Sequence, residues 1–198
     1  MFRITLDKEQ SEKFRQLCIK NKATISTGFL EMFIRSLAVF TGNENISVGI
    51  PVSMRGEKNS GSFGMYVNMC LVSDKVDLSC SFASAVSERS RDMMQLISGS
   101  EKSFAAIVNE MGWKQDMKKI PFRFTYNYLG GDSLDDNSGL FGKIDYIYDP
   151  YIHDLGLIAE FNGKGYDCTI TGRPELVSRS KTEQFAKEFE KELKASIL

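Results

Sequence analysis

The stretch Ser62-Phe63-Gly64-Met65-Tyr66-Val67-Asn68-Met69-Cys70 carries the most information about the fold of this chain. It follows a second informative stretch, Ile46-Ser47-Val48-Gly49-Ile50-Pro51-Val52-Ser53-Met54-Arg55-Gly56. Apolar residues dominate at 46–54 and again at 65–72, and a polar, glycine-bearing segment separates the two runs. The pattern predicts two strands joined by a loop over residues 55–61.

The residues before these strands predict a short strand followed by two helices. Residues 2–6 alternate in the manner of a strand, and Asp7 is a candidate N-cap for a first helix. Residues 26–40 form a second helical pattern with a broad apolar stripe, which Gly42 ends. Since a broad stripe implies contact with several elements, we expect this helix to be the most buried one.

The residues after the two strands predict two more helices. Asp77, Ser79 and Ser81 are candidate caps for a long helix that Gly99 stops. Its buried side is predicted from four apolar residues: Phe82, Val86, Met93 and Ile97. A shorter helix follows, with Phe104, Ile107, Val108 and Met111 as its apolar residues.

The last third of the chain predicts a sheet and a closing helix. Strands are predicted from strict alternation at 122–128 and from runs at 144–148, 155–161 and 166–171, with a hairpin turn at 162–165. A capping box, Ser180-Lys181-Thr182-Glu183, predicts the start of the final helix, with Phe185, Phe189, Leu193 and Ile197 on one face. The order predicts an α/β fold: a two-layer sandwich of a mostly antiparallel or mixed sheet covered by helices, in a single domain over 1–198.

Composition narrows the function classes. The chain has 198 residues, of which 42% are hydrophobic and 26% charged, with a net charge of −1. This charge gives no reason to expect nucleic acid or an anionic membrane as partner. No apolar run approaches the roughly 20 residues of a membrane span, and the N-terminus does not resemble a signal peptide. We therefore expect a cytoplasmic protein with reduced cysteines.

Catalytic and metal-binding patterns are sparse in this sequence. The four cysteines lack zinc-site spacing, and the single histidine, His153, lacks partners that would suggest acid–base chemistry. A loop or surface position is the better interpretation of His153. The acidic run Asp132, Asp135 and Asp136 in the 130–142 loop lacks the register of a calcium loop, so we expect it to be solvated. No catalytic residue and no metal ligand is predicted.

Several motifs in order resemble one family over nearly the whole chain. Val48-Gly49-Ile50-Pro51-Val52-Ser53-Met54-Arg55 resembles a VGxPVxGR strand and turn, and Gly64-Met65-Tyr66-Val67-Asn68-Met69 resembles a GxFVNT motif. Phe124-Thr125-Tyr126-Asn127-Tyr128-Leu129-Gly130 is similar to an FNYLG strand found in epimerization domains. Together they resemble the C-terminal lobe of a nonribosomal peptide synthetase condensation domain, within the chloramphenicol-acetyltransferase-like (CoA-dependent) acyltransferases.

The resemblance implies one lobe of a two-lobed acyltransferase. In that family an HHxxxDG motif in the N-terminal lobe supplies the catalytic histidine, and no His-His pair occurs here. Gly64, Met65, Tyr66 and Asn68 would line a tunnel between the lobes, and Arg55 would pair with a carboxylate across the lobe interface. The residues alone leave plainer alternatives open, in which Asn68 satisfies a neighbouring backbone group and Arg55 is solvated.

The implied partners are the missing N-terminal lobe and acyl or peptidyl carrier proteins. The implied reaction is amide formation between a carrier-bound thioester and an amine, with a phosphopantetheine arm belonging to the carriers and no cofactor bound by this lobe. Alone, the chain is expected to be inactive. The family's HQDxPFE and RDxSRxPL patterns are reduced here to Ser98–Phe104 and Asp116–Pro121. Two alternatives therefore remain: a lobe of a stand-alone CoA- or carrier-dependent acyltransferase, and a non-catalytic docking module for a carrier or partner.

Overall fold

The structure is a computed structural model that describes residues 1–56, 61–64, 66–100, 102–113, 122–130 and 153–197. The predicted element order is confirmed within these residues. In chain order the elements are β1 (Phe2–Leu6), α1 (Lys8–Lys20), α2 (Ile25–Thr41), β2 (Asn45–Ser53), β3 (Val67–Lys75), α3 (Phe82–Ser98), α4 (Phe104–Glu110), β4 (Phe124–Leu129), β5 (Leu155–Phe161), β6 (Tyr166–Gly172) and α5 (Arg179–Ala195).

The described strands form one mixed sheet in the order β1-β6-β5-β4-β2-β3. The pairs β1–β6, β5–β6 and β2–β3 are antiparallel, whereas β2–β4 and β4–β5 are parallel. The prediction of a mixed sheet covered by helices is therefore confirmed. The parallel strands bring the carboxyl ends of β2, β4 and β5 to one end of the sheet, which is where open α/β sheets bind ligands.

Helix α2 is the centre of the core, as its broad apolar stripe predicted. Phe29, Phe33 and Leu37 have no solvent-exposed surface. They pack on one face of the sheet together with α5, whose Phe185 ring lies edge-on to Phe33 with centroids 5.8 Å apart. Gly42 ends α2 at φ 65°, a left-handed conformation that glycine adopts without strain.

Short polar side chains begin the helices. Asp7 caps α1, as predicted, in a capping box with Gln10. Of the three candidate caps for α3, Ser81 is the N-cap. The capping box predicted at Ser180–Glu183 is wrong: the N-cap of α5 is Ser178, whose hydroxyl accepts a hydrogen bond from the Lys181 N–H at 3.3 Å. The Glu183 carboxylate instead pairs with Lys187 one turn later, at 2.8 Å.

Two further boundaries differ from the prediction. Strand β3 was expected at 65–72 but runs from Val67 to Lys75, because β2 pairs with it along its whole length, from Ser53↔Val67 to Asn45↔Lys75. Ile97 was expected on the buried side of α3 and is 50% exposed, whereas Val86 is fully buried. The end of α3 therefore lies at the edge of the core.

Several sequence-based interpretations fall outside the described residues. These are the strand at 144–148, most of the 130–142 loop with its three aspartates, and Met65. All four cysteines are free, three of them buried, and burial raises the pKa of the Cys18 thiol to about 12. In the part of the chain that the structure describes, no single helix is long and apolar enough to cross a membrane. Helices α1 and α2 together have the required length and composition, but they are bent by 94° relative to each other.

Candidate functional site

The corner between β2 and β3 is built around Arg55. Its guanidinium donates hydrogen bonds to the carbonyl oxygens of Ser62 at 2.7 Å and of Gly64 at 2.9 Å. The same group lies over the Tyr66 ring, 4.6 Å from the ring centroid, in a cation–π contact. The strand pairing continues into the corner through the Met54 N–H, which donates to the Tyr66 carbonyl at 2.8 Å. Arg55 thus holds the returning chain against the end of β2.

This corner exposes an aromatic side chain. Phe63 has a relative exposure of 107%, and Val67 one of 51%. Gly64 follows Phe63 with φ at 147°, a conformation that disfavours any residue with a Cβ. A fully exposed phenylalanine on a hydrogen-bonded loop leaves apolar surface in water, which is a common feature of protein contact sites.

Asn68 faces the helical layer beside Val52, its partner across the β2–β3 ladder. Its amide nitrogen donates to the carbonyls of Ser100 at 3.0 Å and Lys102 at 2.9 Å. Its amide oxygen accepts from the backbone N–H of Phe104 at 2.8 Å. Both donor hydrogens of the amide are therefore used by the connection between α3 and α4. Asn68 therefore hydrogen-bonds neighbouring backbone groups, which is one of the two roles that the sequence left open for it. Direct contact between Asn68 and a substrate stays a prediction.

A cavity of about 210 Å³ opens beside this corner. It lies between the start of α2, the carboxyl halves of β2 and β4, and the end of α3. Five lining residues carry hydroxyl groups: Ser26, Thr27, Ser53, Tyr126 and Tyr128. The other lining residues are apolar: Leu30, Ile50, Pro51, Val52, Met93 and Ile97. Apolar walls with a few placed polar groups are typical of small-molecule sites.

Tyr126 fixes the floor of this cavity. Its hydroxyl donates to the Ser26 carbonyl at 2.7 Å and lies 3.2 Å from the Ser26 hydroxyl. Burial raises the pKa of Tyr126 well above its usual value, against the opposing effect of the hydrogen bond to Ser26. The phenol is therefore neutral at physiological pH and joins the first turn of α2 to β4.

His153 lies apart from the cavity, in a bend that leads into β5. The loop position agrees with the prediction, although the side chain is half-buried, with its ring centroid 5.5 Å from that of Phe122. Burial lowers the pKa of His153, and the charge of Asp154 opposes this shift. The imidazole is thus a neutral ring packed on an aromatic at pH 7.

A larger open cavity, of about 1000 Å³, lies on the other side of Tyr128. It is bordered by the start of α1 and by the β5–β6 turn, including Lys8, Lys164 and Tyr166. Arg15 in this cavity is paired with Glu12 at 2.8 Å, so part of its charge is neutralised. Among the described residues no three His, Cys, Asp or Glu side chains gather as a metal-binding group.

The structure brings Arg55, Gly64, Tyr66 and Asn68 to one end of the sheet. Their roles in a tunnel or across a lobe interface stay predictions. The structure adds residues that the sequence analysis missed, chiefly Ser26, Ser53 and Tyr126, which line the neighbouring cavity. The alternation of aromatics in β4 was visible in the sequence. The hydroxyls of Tyr126 and Tyr128 reach the cavity because β4 pairs in parallel with β2. No local sequence pattern predicts that pairing.

Comparison with protein families gives one family model that covers almost the whole chain. The model described as "Condensation domain" matches residues 1–197. Among curated proteins, bacitracin synthase 2 of Bacillus licheniformis is 23% identical over 185 residues, covering 89% of this chain and 7% of the synthase. Bacitracin synthase 3 of the same organism is 25% identical over 185 residues, covering 91% of this chain and 3% of the synthase. The chain therefore spans a small fraction of the curated relatives it matches.

Comparison with solved structures gives the same fold. The condensation domain of the monacolin K polyketide synthase MokA superposes with a TM-score of 0.84 at 15% identity. The match covers 98% of this chain and 46% of that domain's chain. The mixed sheet and helical layer described above are thus the fold of a part of a condensation domain.

Proposed function

Because this chain belongs to the condensation domain family, we propose that it is the C-terminal lobe of such a domain in nonribosomal peptide synthesis. The observation that carries the proposal is the family match over residues 1–197, combined with a sequence that contains one histidine and therefore no HHxxxDG motif. The lobe would act only with a partner lobe that supplies this motif.

The proposed reaction joins two carrier-bound groups. The amine of the acceptor attacks the carbonyl carbon of the donor thioester, a C–N bond forms, and the C–S bond breaks. The amine loses one proton and the leaving thiolate gains one, so that the products are an amide and a free thiol. The histidine of the partner lobe would take the amine proton or position the amine, as general acid–base catalysis requires. No residue of this lobe is proposed to exchange a proton with the substrates.

The contribution of this lobe would be one wall of the tunnel between the lobes. Gly64, Met65, Tyr66 and Asn68 are the proposed tunnel residues, and Arg55 is the proposed partner of a carboxylate across the interface. The described members of this group lie together at one end of the sheet, beside the cavity that Ser26 and Ser53 help to line. A pantetheine arm carries amide groups, which need hydroxyl or backbone partners when they leave water.

The proposed partners are the N-terminal lobe and the carrier proteins that bring the thioester and the amine. The phosphopantetheine arm would belong to the carriers, so this lobe would bind it as part of the substrate and need no cofactor of its own. We propose a cytoplasmic location for the parent enzyme. The exposed Phe63 is the proposed anchor for the N-terminal lobe, because its side chain is fully exposed beside the end of β2.

Sedimentation of the 198-residue chain, with and without a lobe that carries HHxxxDG, tests the partnership. We expect a one-to-one complex that Phe63→Ser weakens without changing the thermal midpoint of the lone chain. The matched control is Ile19→Ser, which alters a 52% exposed apolar residue at the end of α1. No complex with any HHxxxDG lobe from the same gene cluster, or equal weakening by both variants, would contradict the proposal.

A further inference from the structure

The described residues that connect α3 to α4 lie beside β3, an edge strand of the described sheet. Before the connection, Met93 and Ile97 of α3 line the 210 Å³ cavity on the helical face. After it, the Phe104 ring packs against Phe122, with centroids 5.7 Å apart. The Phe122 ring in turn covers Gly49, a residue that faces away from the helical layer because it alternates with buried Val48 and Ile50. The connection therefore links the two faces of the sheet.

Asn68 is the side chain that holds this connection to the strand. Its three hydrogen bonds, at 2.8–3.0 Å, reach Ser100 after α3, Lys102, and Phe104 at the start of α4. The Ser100 hydroxyl contacts both α3 and the residue that follows β2. It donates a hydrogen bond to the Ile97 carbonyl at 2.7 Å and lies 3.6 Å from the Met54 sulfur. The end of α3 is thereby fixed relative to the β2–β3 corner.

The apolar packing in this region is limited to partly buried side chains, including Met93 and Leu96, which lie against the core. Only Val86, Arg89 and Ser90 of α3 are buried, all in its first two-thirds, and none of the described residues of α4 is fully buried. Ile97, which lines the cavity, is 50% exposed. A helix end with little buried apolar surface opens locally unless other contacts restrain it.

We propose that Asn68 is a positioning residue. Its hydrogen bonds to Ser100, Lys102 and Phe104 set the position of the cavity wall that Met93 and Ile97 form. Asn68 does not offer its amide N–H groups to a substrate, because both are used by backbone carbonyls. The importance of this wall for acyl transfer rests on the proposed function, whereas the grip of these three hydrogen bonds is a property of the lone chain.

The Phe104 amide gives a direct readout of the grip. It is the first residue of α4, so its N–H has no acceptor within the helix. Its protection from hydrogen exchange therefore depends on the Asn68 oxygen. Trp113, the single tryptophan, lies just after α4 and is half-buried, so its fluorescence reports movement of α4.

The chain offers a matched control in Asn162. Its side chain likewise braces backbone, accepting from the N–H groups of Lys164 at 3.0 Å and Gly165 at 2.9 Å. It lies in the β5–β6 turn and does not line the 210 Å³ cavity. Asn162→Ala thus removes a comparable set of hydrogen bonds at a distant place.

The experiment measures amide exchange and Trp113 emission in the lone chain for Asn68→Ala, Asn68→Asp and Asn162→Ala. We expect Asn68→Ala to speed exchange at Phe104 by about tenfold, the effect of one lost hydrogen bond, and to shift the Trp113 emission. Asn68→Asp keeps the acceptor for Phe104 but loses both donations, so Phe104 stays protected while the emission still shifts. Asn162→Ala should change neither signal. Unchanged Phe104 exchange in Asn68→Ala would overturn the proposal.

Acyl transfer by the two-lobe assembly then tests the role of the wall. We expect both Asn68 variants to lower kcat with little change in the KM for either carrier, and Asn162→Ala to leave both unchanged. Full activity of Asn68→Ala despite fast Phe104 exchange would overturn the positioning role. If the two wild-type lobes together catalyse no acyl transfer, the proposed function is wrong. The hydrogen-exchange data still show whether Asn68 holds the start of α4 in place.

Discussion

Helices α2 and α3 both contain 17 residues, but they are held in place by different forces. Helix α2 buries residues on nearly every side, including three fully inaccessible side chains, Phe29, Phe33 and Leu37. Helix α3 buries only Val86, Arg89 and Ser90. One helix is part of the core, and the other lies on it.

Polar contacts add to the apolar ones along α3, where Phe82, Met93 and Leu96 are only partly buried against the core. Arg89 donates to the Glu31 carboxylate of α2 at 2.9 Å, with both side chains at least 93% buried, and to Asp74 of β3 at 3.0 Å. Ser90 donates to the Lys22 carbonyl at 2.9 Å, and the end of the helix depends on Asn68. Directional contacts fix a position without filling a core, so the end of α3 adds a partly exposed wall to the cavity that the start of α2 also lines.

The largest effect is expected from truncation of the α2 core. Phe33→Ala should lower the free energy of unfolding by about 3–5 kcal/mol, because it removes a fully buried ring and leaves a cavity. Met94→Ala on the outer side of α3, where the side chain is 62% exposed, should change it by less than about 0.5 kcal/mol. Urea denaturation measures both, and similar losses would show that the two helices do not differ in this way.

The next effect concerns the buried ion pair. Arg89→Met should lower the free energy of unfolding by about 3 kcal/mol, because it leaves the Glu31 carboxylate buried without its partner. The double variant Glu31→Met with Arg89→Met should recover most of this loss, since no charge is then stranded. A double-mutant cycle by denaturation checks the coupling, and simple additivity of the two losses would contradict it.

A smaller effect is expected at the helix caps. Thr24→Ala and Ser81→Ala remove equivalent N-cap hydrogen bonds, from Thr27 N–H and Ser84 N–H, and each should cost about 1 kcal/mol. The helices should respond differently in hydrogen exchange. The loss at Ser81 should appear as faster exchange confined to the first turn of α3, whereas the loss at Thr24 should appear in the global unfolding rate. Confined exchange in both helices would weaken the comparison.

The smallest effect is a pH dependence at the start of α3. The pKa of Asp77 is lowered, chiefly because the Ser79 hydroxyl and N–H donate hydrogen bonds to its carboxylate. The unfolded chain therefore takes up this proton at a higher pH than the folded chain does. The stabilisation is present above the ordinary aspartate pKa of about 3.9 and is lost as the pH falls through the lower folded value.

Exchange at the first turn of α3, measured between neutral and acidic pH, tests this titration. We expect protection there to fall on acidification in the wild type, relative to Asp77→Asn, whose amide oxygen keeps an acceptor that does not titrate in this range. The amides of α2 provide the internal control. Identical pH profiles for the wild type and the variant would contradict the assignment.

The sequence predicted the core better than the site. The stripe of α2 and the alternation in β4 are local periodicities that burial imposes on any such element, so both elements were found. Ile97 was misplaced because it continues the apolar spacing of α3, but its side chain is half exposed at the cavity rather than buried in the core. The grip of Asn68 on Ser100 and Phe104 joins residues 32 and 36 positions apart. Nothing in local spacing encodes such contacts, and the motif only indicated that Asn68 has a function.

Amide formation by the chain alone, and by the chain with an HHxxxDG lobe, tests the central claim most directly. Two carrier proteins, one bearing a thioester donor and one an amine acceptor, would be incubated with each and the products followed by mass spectrometry. The account predicts no amide from the 198-residue chain alone and product only with the added lobe, lost when the second histidine of that lobe is replaced by alanine. Robust amide formation by the lone chain would contradict it.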